Sequence, residues 1–216
     1  MSEKEYHLGE LEIALTPNDP RHVMPTLPDQ YHSILDVGCG AGQTLIACGL
    51  KPGTFICGVD IDEDALALGR QLSQSVLFVS AQGERLPFAD HSFDIIISRV
   101  ALPLMHIPNA LCEIARVLRP GGYVWFTLHP LSMVTSRIGA AIKTGNVKSL
   151  VYQFYIIANG LFFHATGKQF RYPINRNRCE SFQMAGAITR AMRQVGFEQI
   201  RTDRGRFFIV TATKES

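Results

Sequence analysis

From residue 33 onward, short apolar runs alternate with stretches of helical spacing. Ser33–Val37 is a brief apolar run that ends at glycines, which reads as a buried strand. Gly42–Leu50 has the length of a helix and is closed by Lys51-Pro52-Gly53. Thr54–Val59, Ser75–Ser80, Phe93–Ser98 and Tyr123–Leu128 read as further strands. Between them, Asp62 is placed to cap a helix running to Gln74, and Pro108–Leu118 forms another, stopped by Arg119-Pro120-Gly121-Gly122. These strands lack a polar face, as expected when helices cover both sides of a parallel sheet.

Near the end of the chain, Ser181–Val195 carries apolar residues at helical spacing (Phe182, Ala185, Ile188, Met192), with Gly196 as its C-terminal stop. Phe197–Thr202 and Arg206–Ala212 then form two strands joined by Asp203-Arg204-Gly205. That link is too short for a crossover helix, so the two strands are expected to be antiparallel. Residues 1–32 read as a short helix around Glu5–Leu15 followed by a proline-rich connection, an N-terminal helical cap. A chain of 216 residues is expected to form one domain, with 131–180 inserted as a lid.

Composition adds three constraints. Apolar residues make up 46% and charged residues 19%, which suits a globular core and not a disordered chain. The net charge is only +2, but residues 131–180 hold seven basic side chains (Arg137, Lys143, Lys148, Lys168, Arg171, Arg176, Arg178) against the single acid Glu180. Such asymmetry predicts a locally positive surface. The five cysteines are odd in number and lack C-x-x-C spacing, so neither a disulfide framework nor a zinc site is expected. Reduced thiols and an acidic N-terminus without an apolar stretch predict a cytoplasmic protein. No His/Asp/Glu cluster has ligand spacing in the sequence, so no metal is expected.

The candidate chemistry starts where the first strand, Ile34-Leu35-Asp36-Val37, runs into Gly38-Cys39-Gly40-Ala41-Gly42. Glycines at such a turn let the backbone double back and approach a ligand. The second strand ends at Gly58-Val59-Asp60, and Asp60 lies 22 residues after Gly38, the spacing of a carboxylate that grips ribose hydroxyls. Four further features follow in order: Gln82-Gly83-Glu84-Arg85-Leu86-Pro87-Phe88, Ser92-Phe93-Asp94-Ile95-Ile96, Arg116-Val117-Leu118-Arg119-Pro120-Gly121-Gly122, and Gly196-Phe197.

With these motifs the chain resembles the class I S-adenosylmethionine-dependent methyltransferases, in particular the subgroup that methylates small molecules, quinones and lipids. The resemblance covers residues 33–130 and 181–213 and says nothing specific about the substrate. It implies an α/β fold: a Rossmann-like three-layer sandwich whose mostly parallel seven-stranded sheet has the order 3-2-1-4-5-7-6, with strand 7 antiparallel. The implied cofactor is S-adenosyl-L-methionine. Its methionyl part would be held by Asp36 and the backbone of Gly38 and Gly40, and its ribose by Asp60. Ile61 would pack on adenine, with Gln82 and Gly83 at the adenine edge. Many relatives carry Asp where this chain has Gln82, whose amide can still pair with adenine. Ser98 and Arg99 would line the junction of donor and acceptor.

Methyl transfer from a sulfonium is an in-line displacement that rests on proximity and alignment. A general base is needed only where the acceptor must lose a proton, and His129, at the end of the fifth strand, is the candidate. Tyr155, Arg171 and Tyr172, in the insertion, are candidate substrate contacts. The expected reaction is methyl transfer to an oxygen, nitrogen or carbon of a small-molecule acceptor, one with an apolar body and an anionic group. A donor-binding protein without turnover is an alternative. A nicotinamide-dependent oxidoreductase is another, although Gly38, Gly40 and Gly42 give G-x-G-x-G and position 43 is Gln, not the glycine of G-x-G-x-x-G. No recognition module for nucleic acid is visible. The aromatic and basic insertion also suits transient contact with a membrane surface.

Overall fold

The computed structural model describes residues 2–175 and 178–216. Arg176, one of the basic residues of the insertion, lies outside them. Seven strands form one sheet, and helices cover both faces. The elements run α1 (Glu3–Leu15), β1 (Ser33–Val37), α2 (Gln43–Ala47), β2 (Phe55–Asp60), α3 (Glu63–Leu72), β3 (Leu77–Ser80) and β4 (Phe93–Ser98). After a 3-10 turn at Leu102–Leu104 come α4 (Ile107–Val117), β5 (Leu118–Leu128), α5 (Leu131–Lys143), α6 (Val147–Thr166), α7 (Ala185–Gln194), β6 (Phe197–Asp203) and β7 (Phe208–Lys214).

The strand order is β3-β2-β1-β4-β5-β7-β6, as the resemblance implies. β1 pairs with β2 and β4 in parallel, β2 with β3 and β4 with β5 likewise, while β7 runs antiparallel to both β5 and β6. The reversal between β1 and its two neighbours puts the carboxyl ends of β1, β2 and β4 around one crevice, the usual place for a ligand in an open α/β sheet.

The core explains the lack of alternation in the strands. All five residues of β1 are buried, and Ile95, Ile96 and Ile97 of β4 are at most 1% exposed. Leu35, Ile96, Val124 and Phe126 face α4 and α7 in one cluster, while Ile34, Ile95, Ile97 and Trp125 face Leu45 and Leu66 in another. α3 starts where expected, since the Asp62 carboxylate accepts hydrogen bonds from the N–H groups of Asp64 and Ala65.

Three local expectations differ from the structure. α2 spans only Gln43–Ala47, shorter than 42–50. Arg119-Pro120-Gly121-Gly122 does not merely stop α4: it lies inside β5, where Leu118 pairs with Phe93 before the register shifts. α7 begins at Ala185 because residues 181–184 run extended against the end of β5: the Gln183 N–H donates to the His129 carbonyl at 2.8 Å. The inserted segment is a pair of helices, α5 and α6, around a small core of Val134, Tyr155, Ile156 and Phe182. Phe163 of α6, fully buried, joins the main core and anchors the pair.

Candidate functional site

The glycine turn after β1 has left-handed backbone at Gly38 (φ +79°) and Gly40 (φ +54°), which side-chain-bearing residues avoid. At Gly38 the space is closed as well, since an added Cβ would sit 2.1 Å from the Cβ of Ala101. The turn is held to β2 by backbone: the N–H groups of Gly38 and Cys39 both donate to the Val59 carbonyl, at 2.8 and 3.0 Å. Asp60 completes the tie. Its Oδ2 accepts from Gly40 N–H at 2.7 Å and its Oδ1 from Asp62 N–H at 3.1 Å.

Two cavities meet at this tie. The larger, about 810 Å³, is lined by Gly38, Gly40, Asp60, Arg99 and His129 together with residues of α1 and α5. The smaller, about 340 Å³, is lined by Asp60, Ile61, Gln82, Gly83, Met105 and Arg171. Gly38, Asp60, Ala101 and Leu104 belong to both walls, so the cleft has two lobes with the glycine turn and Asp60 between them. Both volumes fall in the range of small-molecule sites, roughly 300–1,000 Å³.

The structure brings together most of the residues singled out in the sequence. Ile61, 71% exposed, borders the small lobe beside Gln82 and Gly83. Arg171 borders it from the other side, with its guanidinium 4.0 Å from Glu84. Arg99 lines the large lobe, held by Thr44 at 3.0 Å and Glu10 at 3.2 Å. Asp36 sits behind the turn and lines neither lobe. It is 1% exposed, and its Oδ1 has no hydrogen-bond partner among the described residues. Burial pushes its carboxyl up to about 7, against the pull of the Arg99 charge and helped by Asp60.

Three expectations are corrected. Ser98 does not face the cleft: it is fully buried, its hydroxyl donates to the Val37 carbonyl at 2.7 Å and accepts from Leu102 N–H at 3.1 Å. Tyr155 and Tyr172 line neither lobe. They pack in the core between the inserted helices, ring centroids 4.9 Å apart, and the Tyr155 hydroxyl donates to the Phe170 carbonyl. Aromatic residues in a short helical pair are drawn to the small core it must build, because burying a large ring removes more apolar surface from water than any smaller side chain there.

His129 lines the large lobe and is 4% exposed. Its main chain is clamped twice by Gln183, whose side-chain oxygen accepts from the His129 N–H at 3.0 Å and whose own N–H donates to the His129 carbonyl. Nδ1 lies 3.4 Å from Oε1 of Glu180, which also accepts from Arg137 at 3.0 Å. Oε2 of Glu180 accepts from the Tyr152 hydroxyl at 2.9 Å. Burial raises the Glu180 carboxyl, but the bonds from His129 and Tyr152 and the charge of Arg137 outweigh it and hold the group below its ordinary value, ionised at neutral pH.

Sequence reasoning missed several of these. Tyr6, His7 and Glu10 of α1 line the large lobe, and the His7 ring is bonded to Gln43 at 2.8 Å directly over Gly40. A polar triplet on one helical face was their only signal. Glu180 was visible as the single acid of a basic segment, but its partners come from three different elements. Nor does sequence spacing show that Glu3, Asp62 and Asp64 meet: one carboxylate oxygen from each lies within 4.8 Å of the others at the start of α1 and α3, at the surface. All five cysteines are unpaired, and burial raises the Cys39 thiol beside the turn well above its ordinary value, which makes it inert.

The sheet order, the antiparallel seventh strand and a glycine turn tied to a strand-end carboxylate are those of the Rossmann-like methyltransferase fold. Comparison with known proteins agrees. Residues 35–126 match the family described as methyltransferase domain. A demethylmenaquinone methyltransferase from Chlorobaculum parvum is 28% identical over 171 residues, covering 77% of this chain and 66% of that protein. A phthiotriol/phenolphthiotriol dimycocerosates methyltransferase from Mycobacterium leprae is 35% identical over 107 residues, covering 47% and 39%. Among solved structures, an S-adenosylmethionine-dependent methyltransferase from Thermotoga maritima shares the fold with a TM-score of 0.59 at 17% identity, covering 99% of this chain and 91% of its own. The chain thus has the fold of the S-adenosylmethionine-dependent methyltransferases and resembles a methyltransferase domain over residues 35–126, and it spans 66% and 39% of the length of the two curated relatives named.

Proposed function

We propose that this protein transfers the methyl group of S-adenosyl-L-methionine to a small-molecule acceptor. The observation that carries the reading is Asp60, whose carboxylate stands on the shared wall of both lobes while its bonds to Gly40 and Asp62 fix its orientation. The residues present fit the donor. Lone pairs of Asp60 not used by the two N–H groups suit a ribose diol. Ile61, Gln82 and Gly83 offer the small lobe an apolar face and an amide for a base. Asp36, a buried acid with an oxygen lacking a partner among the described residues, stands behind the turn, where an ammonium group of the donor would favour its ionised form. When bound, the donor contributes an activated methyl on a sulfonium, so the protein's task is to align and desolvate.

Acceptor and insertion belong to the same reading. The large lobe pairs apolar walls (Val23, Leu128, Phe208) with the arginines Arg21, Arg137 and Arg206, which suits an apolar body bearing an anionic group. Residues 131–180 supply part of that wall through Met133, Arg137 and Glu180, and so act as a lid on a single domain. Arg171 reaches the donor lobe instead. Five free thiols suit a reducing compartment such as the cytoplasm. Calorimetric titration with S-adenosylmethionine and S-adenosylhomocysteine tests the assignment. Micromolar binding is expected, weakened at least tenfold in Asp60→Ala; no heat with either ligand refutes it. Binding without transfer of labelled methyl to any acceptor would instead make the chain a donor-binding protein.

A further inference from the structure

We infer that His129 and Glu180 form a catalytic base and its positioning residue, and that the acceptor is therefore an acidic hydroxyl compound of the phenol or enol type. The inference rests on the proposed methyl transfer and names its acceptor class. Four observations converge on it. His129 follows directly on the last residue of β5, at the wall of the large lobe. Its Nδ1 faces the Glu180 carboxylate, so that Nδ1 carries the proton and Nε2 is the nitrogen left for a ligand; Nε2 has no hydrogen-bond partner among the described residues. Gln183 clamps the backbone of His129 at both its N–H and its carbonyl, which fixes the ring's origin. Glu180 itself is held by Arg137 and Tyr152, from two different helices. A buried polar chain of this kind is costly unless every member is satisfied, and only Nε2 is left over.

The acceptor oxygen forms a bond to the methyl carbon, the carbon–sulfur bond breaks with its electron pair passing to sulfur, and the hydroxyl proton goes to Nε2. The imidazolium that results faces the Glu180 carboxylate, which offsets its charge. Chemistry limits the acceptor. A neutral imidazole can take a proton from a hydroxyl with a pKa near 10, the value of a phenol, across a gap of about 3–4 units; an alkyl alcohol, close to water at about 15.7, lies about nine units above it and would give up its proton only in concert with bond formation, so a phenol or enol is the favoured acceptor. The groups placed to bias the base are Glu180, Arg137 and Tyr152 behind it and Glu10, Arg99 and Arg206 around the same lobe.

The test uses the full chain, labelled donor and a set of phenols graded in acidity. Methylation of at least one phenol is expected, with an activity limb that rises with pH. His129→Gln should lower kcat by about 10²–10⁴-fold and remove the limb, the usual contribution of a general base. Glu180→Gln should move the limb to lower pH, because an amide no longer holds the imidazolium. Donor affinity should be unchanged in both, which separates this failure from failure of the donor reading. Ring-labelled histidine spectra of the unaltered protein give a readout that needs no folded variant: the proton is expected on Nδ1. A proton on Nε2, wild-type kcat in His129→Gln, or donor binding with no phenol methylated at any pH each overturns the inference; loss of donor binding by the wild type overturns the reading beneath it as well.

A different observation carries a second inference. The outer face of α6 presents Val147, Val151, Phe154 and Leu161, each 48–69% exposed, on one helical stripe, with Ala158 and Ala165 between and beyond them. No charged residue lies between Lys148 and Lys168, and no acid between Ile114 and Cys179. An exposed helix face without charge marks a contact surface. The structure assigns this face to an anionic lipid surface. Exposed Lys143 and Lys148 stand at one end of the stripe and Lys168 at the other, whereas antiparallel pairing of two copies would set Lys148 against Lys168 at both ends. No helix among the described residues is long and apolar enough to cross a membrane, so the contact is peripheral. Sedimentation with phosphatidylglycerol vesicles, but not phosphatidylcholine vesicles, is expected, lost at high salt and reduced at least tenfold in the triple variant Val151→Ser, Phe154→Ser, Leu161→Ser. Equal binding to both vesicles, binding to neither, or a solution dimer that the triple variant dissociates overturns it.

Discussion

The two sides of the cleft are held by different means. The side facing the small lobe is built on the ends of β1 and β2, and all five residues of β1, behind the glycine turn, are buried. The side facing the insertion is built on α5 and α6, a helical pair with four residues in its own buried core and Phe163 as its anchor in the larger one. The first side should therefore be as rigid as the sheet, and the second should loosen before the domain unfolds. Such a division suits an enzyme that must grip one constant ligand and admit another.

Core truncations should separate the two most sharply. Phe126→Ala, in a fully buried position of β5, should cost about 3–5 kcal/mol and lower the urea midpoint for the whole chain. Phe182→Ala removes the ring on which Gly160 of α6 lies flush, so close that a Cβ there would fall 2.3 Å from it. Its effect should be local, read as loss of hydrogen-exchange protection in α5 and α6 with the strands unchanged. Equal loss of protection in sheet and insertion would erase the distinction.

A smaller effect, confined to the rigid side, comes from pH. An unfolded aspartate releases its proton near pH 3.9, whereas burial holds Asp36 up to about 7. Between these values the folded chain carries the extra proton, so stability falls as pH rises, by up to about 1.4 kcal/mol per unit. Above about pH 7 both states are ionised and the slope vanishes. Asp36→Asn lacks this proton, so its Tm should gain on that of the wild type between about pH 5 and 7. Parallel curves would mean that the carboxylate is stabilised by a partner. The caps should give the smallest effects. Asp62→Ala at α3 and Asn146→Ala at α6 each remove a side-chain acceptor from a helix N-terminus and should cost about 1 kcal/mol. In global denaturation the first should register and the second should not.

The same division separates what could be read in the sequence from what could not. Ile34 to Asp60 was legible because strand, turn and strand follow one another locally, and the glycines and Asp60 each do one job dictated by backbone geometry. The terminal hairpin was legible because three residues cannot carry a crossover. By contrast, Tyr155 and Tyr172 have the composition of binding residues but fill the core of the helical pair, and Ser98 spends its hydroxyl bracing β4 against the turn. Periodicity reports that a side chain is buried or polar; it does not report which neighbour satisfies it.

By itself the sequence determined the order of strands and helices, the turn that breaks φ, and the carboxylate one strand away, since each depends on residues within about thirty positions of one another. Tertiary structure alone decided that α1 closes over the turn through His7 and that Glu180, Arg137, Tyr152 and Gln183 gather around His129. Those groups are far apart in the chain, and they meet only because burying apolar faces fixes where the helices lie. In the proposed function the acceptor end is thus a consequence of packing, and the donor end a consequence of backbone.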